Sequence, residues 1–255
     1  MSDEIRVTPT GAVTEIAFDR PARRNAITAA MYDALAAAIA AAEADRAVRV
    51  ILVHGSPEAF TAGNDIEDFA RRPPQGEDAP VFRFLRTMSR AHKPIVAAVN
   101  GPAIGIGTTL LLHCDLVFAA EDARFQLPFV SLGVVPEFAS SYLLPLVAGY
   151  QRAAELMLLG LPFDARKAVE CGFVTRVVPA AETLPAAREA AARLAALPAK
   201  SVQTAKALMK APHATAVEAQ LRVESQHFRE MLQEPAAREA LAAFLEKRRP
   251  VFNEP

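Results

Sequence analysis

Two glycine-bearing turns, each closing an apolar run, are the residues of this chain best suited to chemistry. Phe60-Thr61-Ala62-Gly63-Asn64-Asp65-Ile66 follows Val50-Ile51-Leu52-Val53, and Gly101-Pro102-Ala103-Ile104-Gly105-Ile106-Gly107 follows Ile95-Val96-Ala97-Ala98-Val99. Glycine lets backbone N–H groups approach a ligand closely, and a helix starting at Gly107 would add its positive end to the same place. Such a pair of turns can grip an oxygen on which negative charge develops. Read alone, the second turn equally suits a dinucleotide fingerprint or a purely structural corner. Against nucleotide binding, Leu110 stands where the fingerprint's third glycine belongs, and no lysine follows Gly107 to complete a Walker-type phosphate loop.

The elements that must position these turns follow from periodicity. Val13 to Phe18 alternates as a half-buried strand should, and Thr28 caps an Ala-rich helix from Ala29 to Ala44. Apolar runs at Val50 to Val53, Ile95 to Val99 and Asp115 to Ala119 read as strands, with helices over Pro80 to Arg90 and Thr108 to His113. Between them, Arg72-Pro73-Pro74-Gln75-Gly76 reads as a mobile polar loop. Beyond Pro136 the pattern turns helical: Phe138 to Val147, Gln151 to Leu159, Ala165 to Cys171, Pro185 to Leu197, and three more between Lys200 and Arg248. Repetition of strand, turn and helix makes this an α/β chain with a helical annex.

The bulk composition removes several classes of function. With 28 Lys and Arg against 29 Asp and Glu, the net charge of -1 provides no field for nucleic acid or an anionic membrane. Hydrophobic residues at 52% and charged residues at 22% suit a globular core and argue against disorder. Cys114 and Cys171 form no pair with redox or metal spacing, so reduced buried thiols and a cytoplasmic protein are expected. Met1-Ser2-Asp3-Glu4 lacks the features of an export signal, and no apolar stretch reaches membrane-spanning length. The five histidines show no triad or metal spacing, and no metal is expected.

A third segment completes the pattern: Phe125-Gln126-Leu127-Pro128-Phe129-Val130-Ser131-Leu132-Gly133-Val134-Val135-Pro136-Glu137-Phe138-Ala139-Ser140-Ser141-Tyr142. With both turns, with Arg20-Pro21-Ala22-Arg23-Arg24-Asn25-Ala26-Ile27, and with Phe244-Leu245-Glu246-Lys247-Arg248 near the end, the chain resembles the crotonase superfamily of enoyl-CoA hydratases and isomerases. The resemblance covers nearly the whole length. It implies a crotonase (ClpP-like) spiral of strand-strand-helix units over residues 1–198 and a C-terminal helical trimerisation region over 199–255, within one continuous domain. The implied assembly is a homotrimer or a pair of trimers.

The resemblance also assigns roles. Family members hold an acyl-CoA thioester so that its carbonyl oxygen receives one backbone N–H from each turn, positions that fall here on Asn64 and Ile106. Hydratases of the family use two glutamates to handle water; Thr109 and Phe129 stand at those positions, which argues against ordinary hydration. Glu137, in Pro136-Glu137-Phe138-Ala139-Ser140-Ser141-Tyr142, resembles the single acid of the peroxisomal-type Δ3-Δ2-enoyl-CoA isomerases. An acid following proline in the first turn of a helix is also what the helix dipole favours without any chemistry. Thr109, Phe129 and Phe138 are the implied acyl-pocket residues, with the two rings excluding water. Ala62, Asp65 and Ile66 of the first turn, Arg24 at the coenzyme's phosphates, Phe244 near its adenine and Lys247 reaching from a neighbouring subunit complete the implied binding set. Asp65 can also simply order its own turn.

The expected function is therefore an isomerase that moves a 3-enoyl-CoA double bond to the 2-position, with coenzyme A entering only as part of the substrate. The alternatives are another crotonase-type reaction such as weak hydration, or an acyl-CoA-binding protein without turnover.

Overall fold

The computed structural model describes residues 2–74, 76 and 78–252; Gln75 of the Pro-rich loop lies outside the described residues. Strand β1 (Ile5–Thr10) and β2 (Val13–Phe18) form an antiparallel hairpin. The helix that follows, α1 (Ala29–Ala44), starts where the Thr28 hydroxyl accepts the N–H of Met31 at 3.3 Å. Then come β3 (Val50–His54), the short α2 (Ile66–Arg71), α3 (Pro80–Ser89), β4 (Ile95–Val99), β5 (Pro102–Ile104) and α4 (Ile106–Thr109), which tightens into a 3-10 turn over Leu110–His113. Strands β6 (Leu116–Ala120) and β7 (Arg124–Gln126) repeat the β4–β5 step.

The chain continues through α5 (Ser140–Ala148), α6 (Tyr150–Leu159), β8 (Phe163–Asp164), α7 (Ala165–Glu170), β9 (Arg176–Val178), α8 (Thr183–Ala196), α9 (Ala199–Met231) and α10 (Pro235–Leu245). Six strands form one sheet in the order β1-β2-β3-β4-β6-β9, parallel from β2 onward, and β5-β7-β8 form a second. Two successive repeats, β4–β5 and β6–β7, thus lay one strand in the large sheet and the next in the small one, as the resembled spiral fold implies.

The apolar runs are continuous because both faces of the large sheet are covered. Ile51, Val53, Ile95, Ala97 and Val99 join the core under α1 and α3, while Val50, Leu52, Val96 and Ala98 face Ala187 and Ala191 of α8. The same cover buries every residue of β2, so that strand is not half-exposed as its alternation suggests.

Between Lys200 and Arg248 the chain forms two helices, α9 and α10, not the expected three, because α9 carries Pro212 inside its 33 residues. A proline costs a helix about 3 kcal/mol by removing a donor and crowding the carbonyl four residues before it. Here that carbonyl belongs to Leu208, itself exposed, so water can take the freed oxygen. Packing on either side offsets the rest: Lys206 pairs with Asp115 at 2.8 Å, and Leu221 and Phe228 are buried. No helix of the described residues is long and apolar enough to cross a membrane.

Candidate active site

The two turns are brought together by a single parallel bridge. Thr61 pairs with Ala103: the Thr61 N–H donates to Pro102 O and the Ile104 N–H to Thr61 O, both at 3.0 Å. Three residues beyond each bridged residue stand Asn64 and Ile106. A second bridge joins Asn64 to Ile27 through the flanking groups, Gly63 O and Asp65 N–H, which directs the N–H of Asn64 itself to the other side. In the second turn the Gly105 N–H is given to Gln126 O at 2.9 Å, leaving the Ile106 N–H at the start of α4 without a preceding turn to bond. Among the described residues neither of these two N–H groups has a partner, and both residues line one cleft.

Close packing explains the glycines. A Cβ on Gly63, at φ +86°, would stand 2.7 Å from Ile104 O, and one on Gly107 would stand 2.6 Å from the Thr61 methyl. The turns press against each other and admit no side chain there.

The cleft holds about 530 Å³. Ala62, Ile66, Ile104, Phe129 and Val134 form its apolar wall, and Phe244 and Leu245 of α10 cover it from the same chain. Arg23, Asp65 and Glu67 bring charge to its edge. The Asp65 carboxylate caps α2 through the Asp68 N–H (3.0 Å) and receives the Arg20 guanidinium at 2.6 Å. Burial raises its pKa, but the capping bond and Arg20 more than reverse that, so it titrates below its ordinary value and serves the turn.

Glu137 is 6% exposed, and the Thr109 hydroxyl donates to its Oε1 at 2.6 Å. Thr109 lies three residues after Ile106 in α4, so the carboxyl is tied to the same helical turn that presents the Ile106 N–H. A second link runs through buried Tyr32, whose hydroxyl donates to Asn64 Oδ1 and whose own ionisation is opposed first by burial and then by the Glu137 charge. Burial pushes the Glu137 carboxyl up to about 8; the Thr109 bond opposes this and the nearby charge of Glu224 adds to it.

Of the residues singled out in the sequence, Ala62, Asn64, Asp65, Ile66, Ile106, Phe129 and Phe244 lie on the cleft wall. Glu137 and Thr109 do not line it; both are buried, and Glu137 is tied through Thr109 to the α4 turn that begins at Ile106. Phe138 does not line the cleft: its ring is fully buried, stacked on His113 at 3.9 Å between centroids and beside Phe84. Arg24 is exposed and off the wall; its carbonyl instead holds the Ala62 N–H at 2.9 Å, and its neighbour Arg23 takes the place at the cleft, ion-paired with Glu67 at 2.8 Å. Lys247 is exposed beyond the end of α10, away from the wall.

Three further residues escaped the sequence reading. Tyr32 looks like any core aromatic at helical spacing, and His113 like any isolated imidazole. Glu224 did leave a signal, since an acid between Leu221 and Phe228 interrupts the buried stripe of α9. Among the described residues no cluster could hold a metal ion.

Two amide donors at an apolar cleft, with a buried carboxyl of raised pKa tied to the helical turn that carries one of them, can stabilise an oxyanion while a proton moves. The family model for enoyl-CoA hydratase/isomerase matches residues 8–255. Over 184 residues the chain is 40% identical to enoyl-CoA delta isomerase 2 of Rattus norvegicus, covering 70% of this chain and 47% of that protein, so it spans about half the length of that relative. A probable enoyl-CoA hydratase of Bacillus subtilis is 35% identical over 237 residues, 89% of this chain and 90% of its own length. The crystal structure of an enoyl-CoA hydratase/isomerase from Pseudoalteromonas atlantica superposes with a TM-score of 0.93 at 40% identity, covering 98% of this chain and all of that one. Spiral, bridged turns and relatives agree, and the chain belongs to the enoyl-CoA hydratase/isomerase family of the crotonase superfamily.

Proposed function

We propose that the protein is an acyl-CoA isomerase that moves a double bond from the 3- to the 2-position, with Glu137 carrying the proton. The observation that carries this reading is the single buried carboxyl bonded into α4, where Ile106 offers its N–H. Thr109 and Phe129, at the two positions where hydratases keep glutamates, offer no carboxylate to hold water.

In this mechanism the thioester oxygen accepts the Asn64 and Ile106 N–H groups. Ionised Glu137 removes a proton from the carbon next to the carbonyl, and the electrons spread into a dienolate whose oxyanion those amides stabilise. The protonated acid then returns a proton to the γ carbon, and the double bond is left conjugated with the carbonyl. Each amide donor contributes about 3 to 4 kcal/mol to such a transition state. The apolar Phe129 ring keeps water from the intermediate. At the cleft edge Arg23, with Arg24 and Lys247 farther out, meets the phosphates of the coenzyme, which is substrate and not a separate cofactor. Exposed Leu208 and Met209 on α9 support self-association, and a homotrimer is the proposed assembly.

The test is to incubate a 3-enoyl-CoA with the protein in deuterated water. The expected result is 2-enoyl product, with label at the γ carbon only to the extent that protonated Glu137 exchanges with solvent before delivering its proton, and a loss of turnover of about 10³-fold or more in Glu137→Gln with ligand binding kept. Full activity in that variant would defeat the assignment. Hydration is the second reading, favoured by the matched hydratase relative, and water addition to a 2-enoyl-CoA faster than isomerisation of a 3-enoyl-CoA would establish it. Tight binding without turnover of either thioester would mark a non-catalytic binder.

A further inference from the structure

Four acids of the described residues are buried: Glu15, Asp65, Glu137 and Glu224. Glu15 and Asp65 each face an arginine. Glu224 has no cation, and a buried carboxylate without one must be held by hydrogen bonds. It accepts the Ala139 N–H at 2.5 Å, the Ser141 N–H at 3.0 Å and the Ser141 hydroxyl. One turn earlier on α9, Gln220 donates its amide to Ser141 Oγ at 2.8 Å.

These bonds fall where the backbone is least at ease. Phe138 and Ala139 have φ of 63° and 54°, and two consecutive non-glycine residues in the left-handed region crowd their Cβ atoms against the backbone. The shared peptide is held at both ends. The Phe138 carbonyl meets His113 Nε2 at 2.7 Å, so that nitrogen carries the hydrogen, and the Ala139 N–H meets Glu224. Glu137 is the residue immediately before this step, and Thr109 holds its carboxyl. The side chain and the backbone of Glu137 are therefore fixed from different elements.

We propose that Glu224 is a positioning residue for Glu137: from α9 its carboxylate holds the left-handed Phe138–Ala139 step and so sets the direction in which the Glu137 carboxyl is presented. The proposal rests on Glu137 being the proton carrier. Glu224 acts through its charge as well. Burial pushes Glu224 up to about 7, against the bonds from Ser141 and Ala139, while Glu137 titrates at about 8. The charge of Glu224 opposes ionisation of Glu137. The other titratable groups facing the pair are Tyr32 of α1 and His113, with Lys210 and Lys206 of α9 behind His113 and the Tyr142–His213 pair alongside.

The experiment compares pH profiles of 3-enoyl-CoA isomerisation for wild type, Glu224→Asp and Glu224→Gln, with Glu137→Gln as control. The aspartate keeps the charge and retracts the carboxyl by one methylene: kcat falls about tenfold or more, KM stays within about twofold, and the acid limb does not move. The glutamine keeps the length and removes the charge: kcat falls and the acid limb moves to lower pH. Wild-type kcat in both variants, or an unmoved limb in Glu224→Gln, overturns the proposal. Activity surviving in Glu137→Gln would instead overturn the assignment of the base, which that control reads separately. Should either variant fail to fold, the wild-type protein decides: the Ala139 and Ser141 amides exchange slowly and their resonances follow a titration near 7, whereas fast exchange at both overturns the proposal.

Discussion

A carboxyl that titrates at about 8 is a poor base below that pH and a good acid, and a proton carrier needs both forms. Turnover of a 3-enoyl-CoA should therefore rise as pH passes through about 8. The Thr109 hydroxyl bonds the ionised form and lowers this value, so Thr109→Val should move the acid limb to higher pH by about one unit. Rate profiles of both proteins check this; a wild-type limb near the ordinary carboxylate range would show that burial does not raise the Glu137 carboxyl. His113 behaves differently. Burial pushes its pKa down to about 3, so it is a neutral imidazole that spends its N–H on the Phe138 carbonyl.

At the scale of elements, the site depends on two turns pressed into contact by the Thr61–Ala103 bridge. Gly107 belongs to α4 and needs no unusual φ; its restriction is steric, since a Cβ would meet the Thr61 methyl at 2.6 Å and the Thr61 carbonyl at 3.1 Å. Gly107→Ala should separate the turns, lower kcat by about 10²-fold or more and reduce Tm, while coenzyme binding at the cleft edge changes little. Steady-state kinetics, calorimetric ligand binding and a melting curve together test this. A variant with wild-type kcat and only a lower Tm would show that the turns serve the fold alone. Helix α9 carries the opposite kind of information: a single element delivers Glu224 to the Ala139 step, presents Phe228 to the cleft and leads into α10, which covers it.

For the molecule as a whole, the buried glutamates trade stability for chemistry. The folded pKa of Glu137 is raised from 4.5 to about 8, so its contribution is fully present below 4.5 and is lost as pH rises through 8. Glu224 acts in the same sense up to about 7. His113, lowered from 6.5 to about 3, acts oppositely, its stability being present above 6.5 and lost as pH falls. Above neutrality only the glutamates among these groups still titrate. Tm should therefore fall most steeply between about pH 6.5 and 8 and level off above 8, and Glu137→Gln should exceed wild type at pH 9 by roughly 5 °C or more, with the gap closing toward pH 5. Thermal melts across that range check the sign; parallel curves would mean that the carboxyl is not held in a desolvated site.

Local information settled much of this protein. The apolar runs specify strands buried on both faces, Thr28 specifies a helix start, and the turn glycines specify close backbone approach. The oxyanion candidates Asn64 and Ile106 came from the family resemblance, and the glycines beside them mark only a close approach of backbone. Side-chain roles were less legible, because they depend on what distant segments bring. Neighbouring arginines look alike in sequence, and only the folded chain turns Arg23 to the cleft and leaves Arg24 outside. The left-handed step at Phe138 and Ala139 carries no glycine to announce it, yet it sends the Phe138 ring into the core and starts α5 two residues late. Whether α9 continued through Pro212 was likewise a matter of packing on both sides of the proline. The Glu224 clamp exists only because α9 crosses the segment after Glu137, a contact between residues remote in sequence that no local pattern encodes.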